Sequence, residues 1–233
     1  MPDEMVPGIY WKSRQGTGKK QNLDAAALLR TGKTTLAFIT DGFEIDGHGG
    51  DFGHHFAQVV IDSIANNSEI SAKELIVIMR QAHEMLRRQY IPQKFCFAAL
   101  FIREDLDVAW IIGSGDCRIG RRKSEGVEWL NPVHSLACGT EHFFEPRHLD
   151  SPWLRHVTRS VCHRFDTPDV IEIEKVIGTT WALATDGYWI NYLRSGEASF
   201  PGEDDTSVLW LSPSASEDLC DSDLENLYVR RGS

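Results

Sequence analysis

Thiol chemistry has little to work with in this chain. Its five cysteines (Cys96, Cys117, Cys138, Cys162, Cys220) are scattered, odd in number and free of any CxxC pair. That argues against a disulfide framework or a thiolate zinc cage, and for reduced thiols in a cytoplasmic protein. Cations are also short. Lys and Arg total 24 against 34 Asp and Glu, a formal charge of −10, so the field of the chain repels nucleic-acid backbones and anionic membranes. No run approaches the roughly 18 apolar residues of a membrane span. Met1-Pro2-Asp3-Glu4 is acidic where a secretion signal is basic. There is no internal repeat or low-complexity tract.

What is present is an ordinary globular balance, 42% hydrophobic and 25% charged over 233 residues, enough to bury one large core. One domain is expected over residues 1–211. Residues 212–233 carry Glu217, Asp218, Asp221, Asp223 and Glu225 before the first base, Arg230, and read as a flexible acidic tail. Within the domain, Asp24–Arg30 and Thr34–Thr40 read as strands about a Thr31-Gly32-Lys33 turn. Phe52–Asn66 and Ser71–Gln89 read as helices, the second opened by a Ser71/Glu74 capping box. Strands are expected at Phe95–Ile102, Val108–Ile112, Cys117–Arg121, Val127–Leu130, Val170–Val176, Thr180–Thr185 and Ser207–Leu211, with a third helix starting at Ser151-Pro152. Consecutive helices between runs of strands indicate α+β with antiparallel sheets rather than βαβ winding.

The informative residues are aspartates at the ends of apolar strands. Leu36–Thr40 runs into Asp41-Gly42, Trp181–Thr185 into Asp186-Gly187, and Trp110–Ile112 is followed by Gly115-Asp116; Asp204-Asp205 precedes Ser207–Leu211. One such Asp-Gly is an ordinary turn. Several ionised carboxylates at the rims of buried strands are costly without a cation, and hard divalent ions take clustered oxygen ligands.

These segments resemble, in order, the PPM metal-dependent phosphatases, the type 2C serine/threonine protein phosphatases, in a minimal bacterial form. Lys19–Asp24 is similar to the family's Arg-x-x-Asn-Gln-Asp. Leu36–Gly42 with Gly49-Gly50 resembles its strand, Asp-Gly and Gly-Gly. Gly115–Arg118 resembles Gly-Asp-Ser-Arg, Leu130–Ser135 Leu-Thr-x-Asp-His-Ser, and Val157–Val161 Leu-Thr-Arg-Ala-Leu. Ala184–Gly187 resembles Ser-Asp-Gly, and Asp204–Val208 resembles Asp-Asn-x-Thr-Val. The resemblance runs from about Lys19 to Leu211. It implies two antiparallel sheets packed as a sandwich with helix pairs on both outer faces, a four-layer αββα fold. It implies hydrolysis of phosphoserine and phosphothreonine by a metal-activated water, with no catalytic side chain. It implies two Mn²⁺ or Mg²⁺ ions, with a weaker third. Asp41 would bridge the ions with the Gly42 carbonyl facing one. Asp186 and Asp204 would complete the first shell, Asp24 would support the second ion, Asp116 would join Asp186 at the third, and Lys19 would bind the substrate phosphate. The expected partners are phosphoproteins and a serine/threonine kinase, for a monomer.

Three departures leave alternatives open. Lys19 stands where the family has Arg, and Leu23 precedes Asp24, so a catalytically impaired regulatory module is the second reading. A second string, Asp46-Gly47-His48-Gly49-Gly50, is closer to the family's literal Asp-Gly-His-Gly-Gly. Asp41 is preferred because the strand before it is apolar; in the other register His48 is a candidate general acid. Finally, Gly32-Lys33-Thr34 fits a loose phosphate-loop pattern, although a hairpin suits its surroundings better.

Overall fold

The computed structural model describes residues 8–43, 45, 50–65, 69–196, 200–213 and 218–232. Asp46 and His48 lie outside the described residues. Among the described residues, twelve strands form two six-stranded sheets. The first contains β1 (Gly8–Arg14), β6 (Arg118–Lys123), β7 (Gly126–Trp129), β9 (Trp181–Ala184), β10 (Thr206–Ser212) and β11 (Leu219–Ser222), in the order β11-β1-β10-β9-β6-β7. The second contains β2 (Ala25–Arg30), β3 (Thr34–Phe43), β4 (Lys94–Arg103), β5 (Val108–Ser114), β8 (Asp169–Glu174) and β12 (Leu227–Arg231), in the order β12-β2-β3-β4-β5-β8. Helices α1 (Phe52–Ile64) and α2 (Ala72–Leu86) cover the second sheet; α3 (Asp186–Ser195) lies on the first, beside 3-10 turns at Leu136–Glu141 and Pro146–Asp150. This is the expected αββα sandwich, except that among the described residues one α-helix rather than a pair lies on the first sheet and the edge strands β11 and β12 make both sheets mixed.

The central strands read as unbroken apolar runs because they are buried on both faces. On β4, Phe95, Phe97, Ala99 and Phe101 pack under the helices, while Cys96, Ala98, Leu100 and Ile102 face the other sheet. Alternate residues of β3 divide the same way, Leu36 and Phe38 outward and Ala37 and Ile39 inward. The α2 capping box forms as expected: Glu74 N donates to Ser71 Oγ at 3.2 Å and Ser71 N to Glu74 Oε2 at 2.7 Å.

Three expectations are corrected. The segment after Ser151-Pro152 is a series of turns, with the nearest helical turn before it at Pro146–Asp150. Residues 31–34 close the β2–β3 hairpin, and Lys33 Nζ is ion-paired to Glu69 at 2.8 Å on the surface. A strand rather than a helix follows, so no helix N-terminus meets a phosphate there, and the nucleotide reading fails. The acidic C-terminal segment is not a loose tail across 219–231. Its β11 runs parallel to β1 and its β12 parallel to β2, so it adds one strand to each sheet.

Between those strands Asn226 is 5% exposed. It accepts from Trp11 Nε1 at 2.9 Å and donates to Asp24 O at 2.8 Å and Ser13 Oγ at 2.9 Å. Asn226→Ala is expected to cost about 2–4 kcal/mol, since it strands several buried polar groups. A urea midpoint unchanged from wild type would show that this junction contributes little.

Candidate metal centre

The sandwich brings the strand-end aspartates together at one end. Asp41 lies on β3 opposite Cys96, and its neighbour Thr40 faces Ala25, the first residue of β2. Asp24 therefore arrives beside Asp41 in the second sheet. From the first sheet come Asp186, the opening residue of α3 directly after β9, and Asp204, just before β10. Asp116 follows β5 through Gly115, whose φ of +109° suits glycine and whose site would drive a Cβ into the Cys96 sulfur.

Their electrostatics record the convergence. Burial, and then the charges of Asp24, Asp186, Asp116 and Asp204, push the Asp41 carboxyl well above the carboxylate range. Asp24 is raised in the same direction by burial, then by Asp205. Burial lifts Asp116 to about 6, and burial with Asp116 and Asp204 lifts Asp186 to about 7. Asp24 Oδ2 accepts from Thr185 Oγ1 at 2.9 Å, but Asp24 Oδ1 and Asp116 Oδ1 are buried with no hydrogen-bond partner. Among the described residues no three acidic, histidine or cysteine side chains are grouped tightly enough to hold a metal ion as they stand. The donor set nonetheless suits a hard divalent ion: it is all oxygen, Asp24, Asp116 and Asp186 are buried with Asp41 and Asp204 half-buried, and it includes two orphaned carboxylate atoms.

Gly42 is buried where a Cβ would come 2.9 Å from both the Leu23 Cβ and the Leu23 carbonyl oxygen. This glycine lets the Asp24 segment lie against β3. Lys19 Nζ is 2.6 Å from Asp204 Oδ1. Burial disfavours the Lys19 charge, but the Asp204 bond and the surrounding carboxylates outweigh it and raise the ammonium pKa.

Sequence reasoning missed two residues. Arg155 pairs with Asp204 through Nη1, and its Nε lies 4.0 Å from Asp186 Oδ2. Asp205 accepts from Gly16 N and Leu23 N, each at 2.9 Å, and so pins both ends of the segment bearing Lys19. The Asp204-Asp205 pair was a visible signal for the second; nothing local marks Arg155. His134 and Arg159 act behind the ring. His134 Nδ1 lies 2.9 Å from Gly115 O, its Nε2 2.8 Å from Asp169 Oδ2, and Arg159 bridges to the same Asp169. They fix the loop that presents Asp116. Burial pushes the Cys96 and Cys117 thiols well above their ordinary value, which keeps them neutral and poor nucleophiles.

No family model and no curated protein matches the chain by sequence. Solved structures match it by shape. A PPM Ser-Thr phosphatase from Mycobacterium smegmatis, solved in complex with cacodylate, superposes with a TM-score of 0.69 at 19% identity, over 88% of this chain and 97% of that one. The chain has the PPM phosphatase fold. A serine/threonine phosphatase from Staphylococcus aureus gives a TM-score of 0.68 at 15% identity, covering 91% of this chain and 97% of its own. The catalytic domain of the serine/threonine protein phosphatase PstP, solved with two manganese ions, gives 0.62 at 13% identity, over 89% and 98%. Within this fold the five aspartates sit at the ends of strands of both sheets.

Proposed function

We propose that the protein is a divalent-metal-dependent phosphatase that removes phosphate from phosphoserine and phosphothreonine in proteins. One observation carries this reading: at one end of a PPM-type sandwich, burial and neighbouring carboxylates raise Asp24, Asp41, Asp116 and Asp186 above the ordinary carboxylate range. Carboxylates gathered in this way are costly without a cation, since neighbouring like charges disfavour ionisation. Asp41 with Gly42, Asp24, Asp186 and Asp204 would hold two Mn²⁺ or Mg²⁺ ions, and Asp116 with Asp186 a third. Bound ions would supply positive charge for the phosphoryl oxygens and acidify the attacking water.

The chain's own residues do the rest. Lys19 offers a point charge to the phosphate. Arg155 offers the planar two-pronged guanidinium that Lys19 lacks, and both already lie against Asp204. Asp205 orients the Lys19 segment, while His134, Arg159 and Asp169 hold the Asp116 loop. The substrate is a phosphoprotein, with a serine/threonine kinase as the natural counterpart, and the enzyme acts as a cytoplasmic monomer.

Hydrolysis of a phosphothreonine peptide is expected only with added Mn²⁺ or Mg²⁺, to vanish on chelation and to return when the ion is restored. Turnover surviving exhaustive chelation defeats the reading. Arg155→Ala is expected to raise KM by about tenfold, the loss of one charge-assisted pair of about 1.4 kcal/mol, with Arg155→Lys intermediate. An unchanged KM in Arg155→Ala removes it from the phosphate site.

A further inference from the structure

The basic hairpin tip Arg121-Arg122-Lys123 plays no part in the chemistry above. β6 leads away from Asp116, and at about 3.3 Å per residue Arg122 lies about 20 Å from that carboxylate. Here the hairpin adjoins α3, the ten-residue helix that partly covers the outer face of the first sheet. Tyr10 and Trp210, paired across β1 and β10, line the floor of a groove of about 670 Å³. Tyr188 and Tyr192, stacked with centroids 6.1 Å apart, form a wall, and Arg122 and Lys123 form the rim. Around the hairpin a second groove of about 460 Å³ shares Arg122 and Lys123 and is bordered by Ile177, 94% exposed.

The charges decide what fits. Arg121 and Lys123 both reach Glu128, at 2.6 and 3.5 Å. Arg122 does not: its guanidinium stands 5.8 Å from the Trp210 ring centroid, and among the described residues it has no carboxylate within ion-pair range. Glu125 is the acid lining the aromatic groove, against two cations, on a chain whose net charge is −10. A guanidinium held over an indole keeps its fork free for a carboxylate.

We propose that this surface docks an extended acidic segment of a partner protein that also carries an aromatic side chain. The carboxylates take the Arg122 fork, the ring enters the Tyr10–Trp210 groove, and the segment continues over the hairpin to Ile177. Such docking recruits a partner about 20 Å from the metal centre and stands whether or not the phosphatase reading does.

The test is fluorescence anisotropy with the full chain and a fluorescein-labelled peptide of alternating Asp and Glu around two Phe residues. Saturable binding is expected, weakening by at least about tenfold between 50 and 500 mM NaCl. Arg122→Glu is expected to weaken it by more than about tenfold with the melting temperature unchanged, since the side chain is exposed. Tyr192→Ala is expected to weaken it with the salt dependence retained. No binding by the wild type, equal binding by Arg122→Glu, or equal binding of an Asn/Gln version of the peptide overturns the proposal. Binding that emerges only after deletion of residues 1–7 gives the groove to the chain's own acidic N-terminus and also overturns it.

Discussion

Asp41→Ala is expected to lower turnover by about 10³-fold or more, equivalent to some 4 kcal/mol, and to abolish calorimetric Mn²⁺ binding in the same protein. Asp46→Ala is expected to change turnover by less than about tenfold. The contrast follows from position. The Asp41 carboxyl feels Asp24, Asp186, Asp116 and Asp204 together, so its loss would take a proposed ligand from the middle of the set. Asp41-Gly42 is no turn: both residues continue β3, in register with Cys96 and Phe95 of β4. The backbone is thus held on a rigid strand rather than a loop tip. If Asp46→Ala loses the metal and Asp41→Ala keeps it, the register is shifted and His48 becomes the candidate general acid.

Asp186→Asn should move activity and stability in opposite directions. Turnover is expected to fall by about 10³-fold or more, because an amide supplies no charge to an ion. The metal-free protein, by contrast, should become more stable at neutral pH. Burial, Asp116 and Asp204 lift the Asp186 pKa from 3.8 to about 7. Between those values the folded state holds a proton that the unfolded state releases, so stability falls as pH rises from about 4 and the whole loss is present above about 7. Asparagine removes that penalty. Its melting temperature at pH 7.5 is expected to exceed the metal-free wild type's by several degrees, at about 2–4 °C per kcal/mol, with no gain at pH 4. Melting curves with and without Mn²⁺ at both pH values check this. A variant less stable than the metal-free wild type at pH 7.5 would mean that the Asp186 carboxylate is stabilising without an ion.

Asp41 and Asp186 stood out in the sequence because each follows an apolar run of the kind a doubly buried strand produces, whereas Asp24 and Asp204 precede their strands. Ser71 and Glu74 were legible for a related reason: a capping box is a local bond pattern written within four residues. Other elements depend on partners far along the chain. β1, Gly8–Arg14, alternates too weakly to announce itself and is fixed by pairing with β10. β11 and β12 look like an acidic tail until Asp218, Asp221 and Asp223 meet Ile9 N, Arg14 and Asn22. α3 was hidden because Asp186-Gly187 reads as a turn after a strand, whereas Asp186 opens the helix. Arg155 reaches Asp204 across 49 residues of sequence, a pairing with no local signature.

The lacing of the last strands around the first has a temporal meaning for the nascent chain. Residues 15–24, which carry Lys19 and Asp24, are fastened at Gln15 and Asn22 to Asp223 and at Asp24 to Asn226, contacts that span about 200 positions. Those partners leave the ribosome only after eleven of the twelve described strands have been made. At roughly 5–20 residues per second, the segment bearing Lys19 and Asp24 waits on the order of ten seconds or more for its clasp. The carboxylate ring is therefore fastened late in synthesis, and a chain interrupted before Asp223 carries every proposed ligand without the fastening that holds the first of them in place.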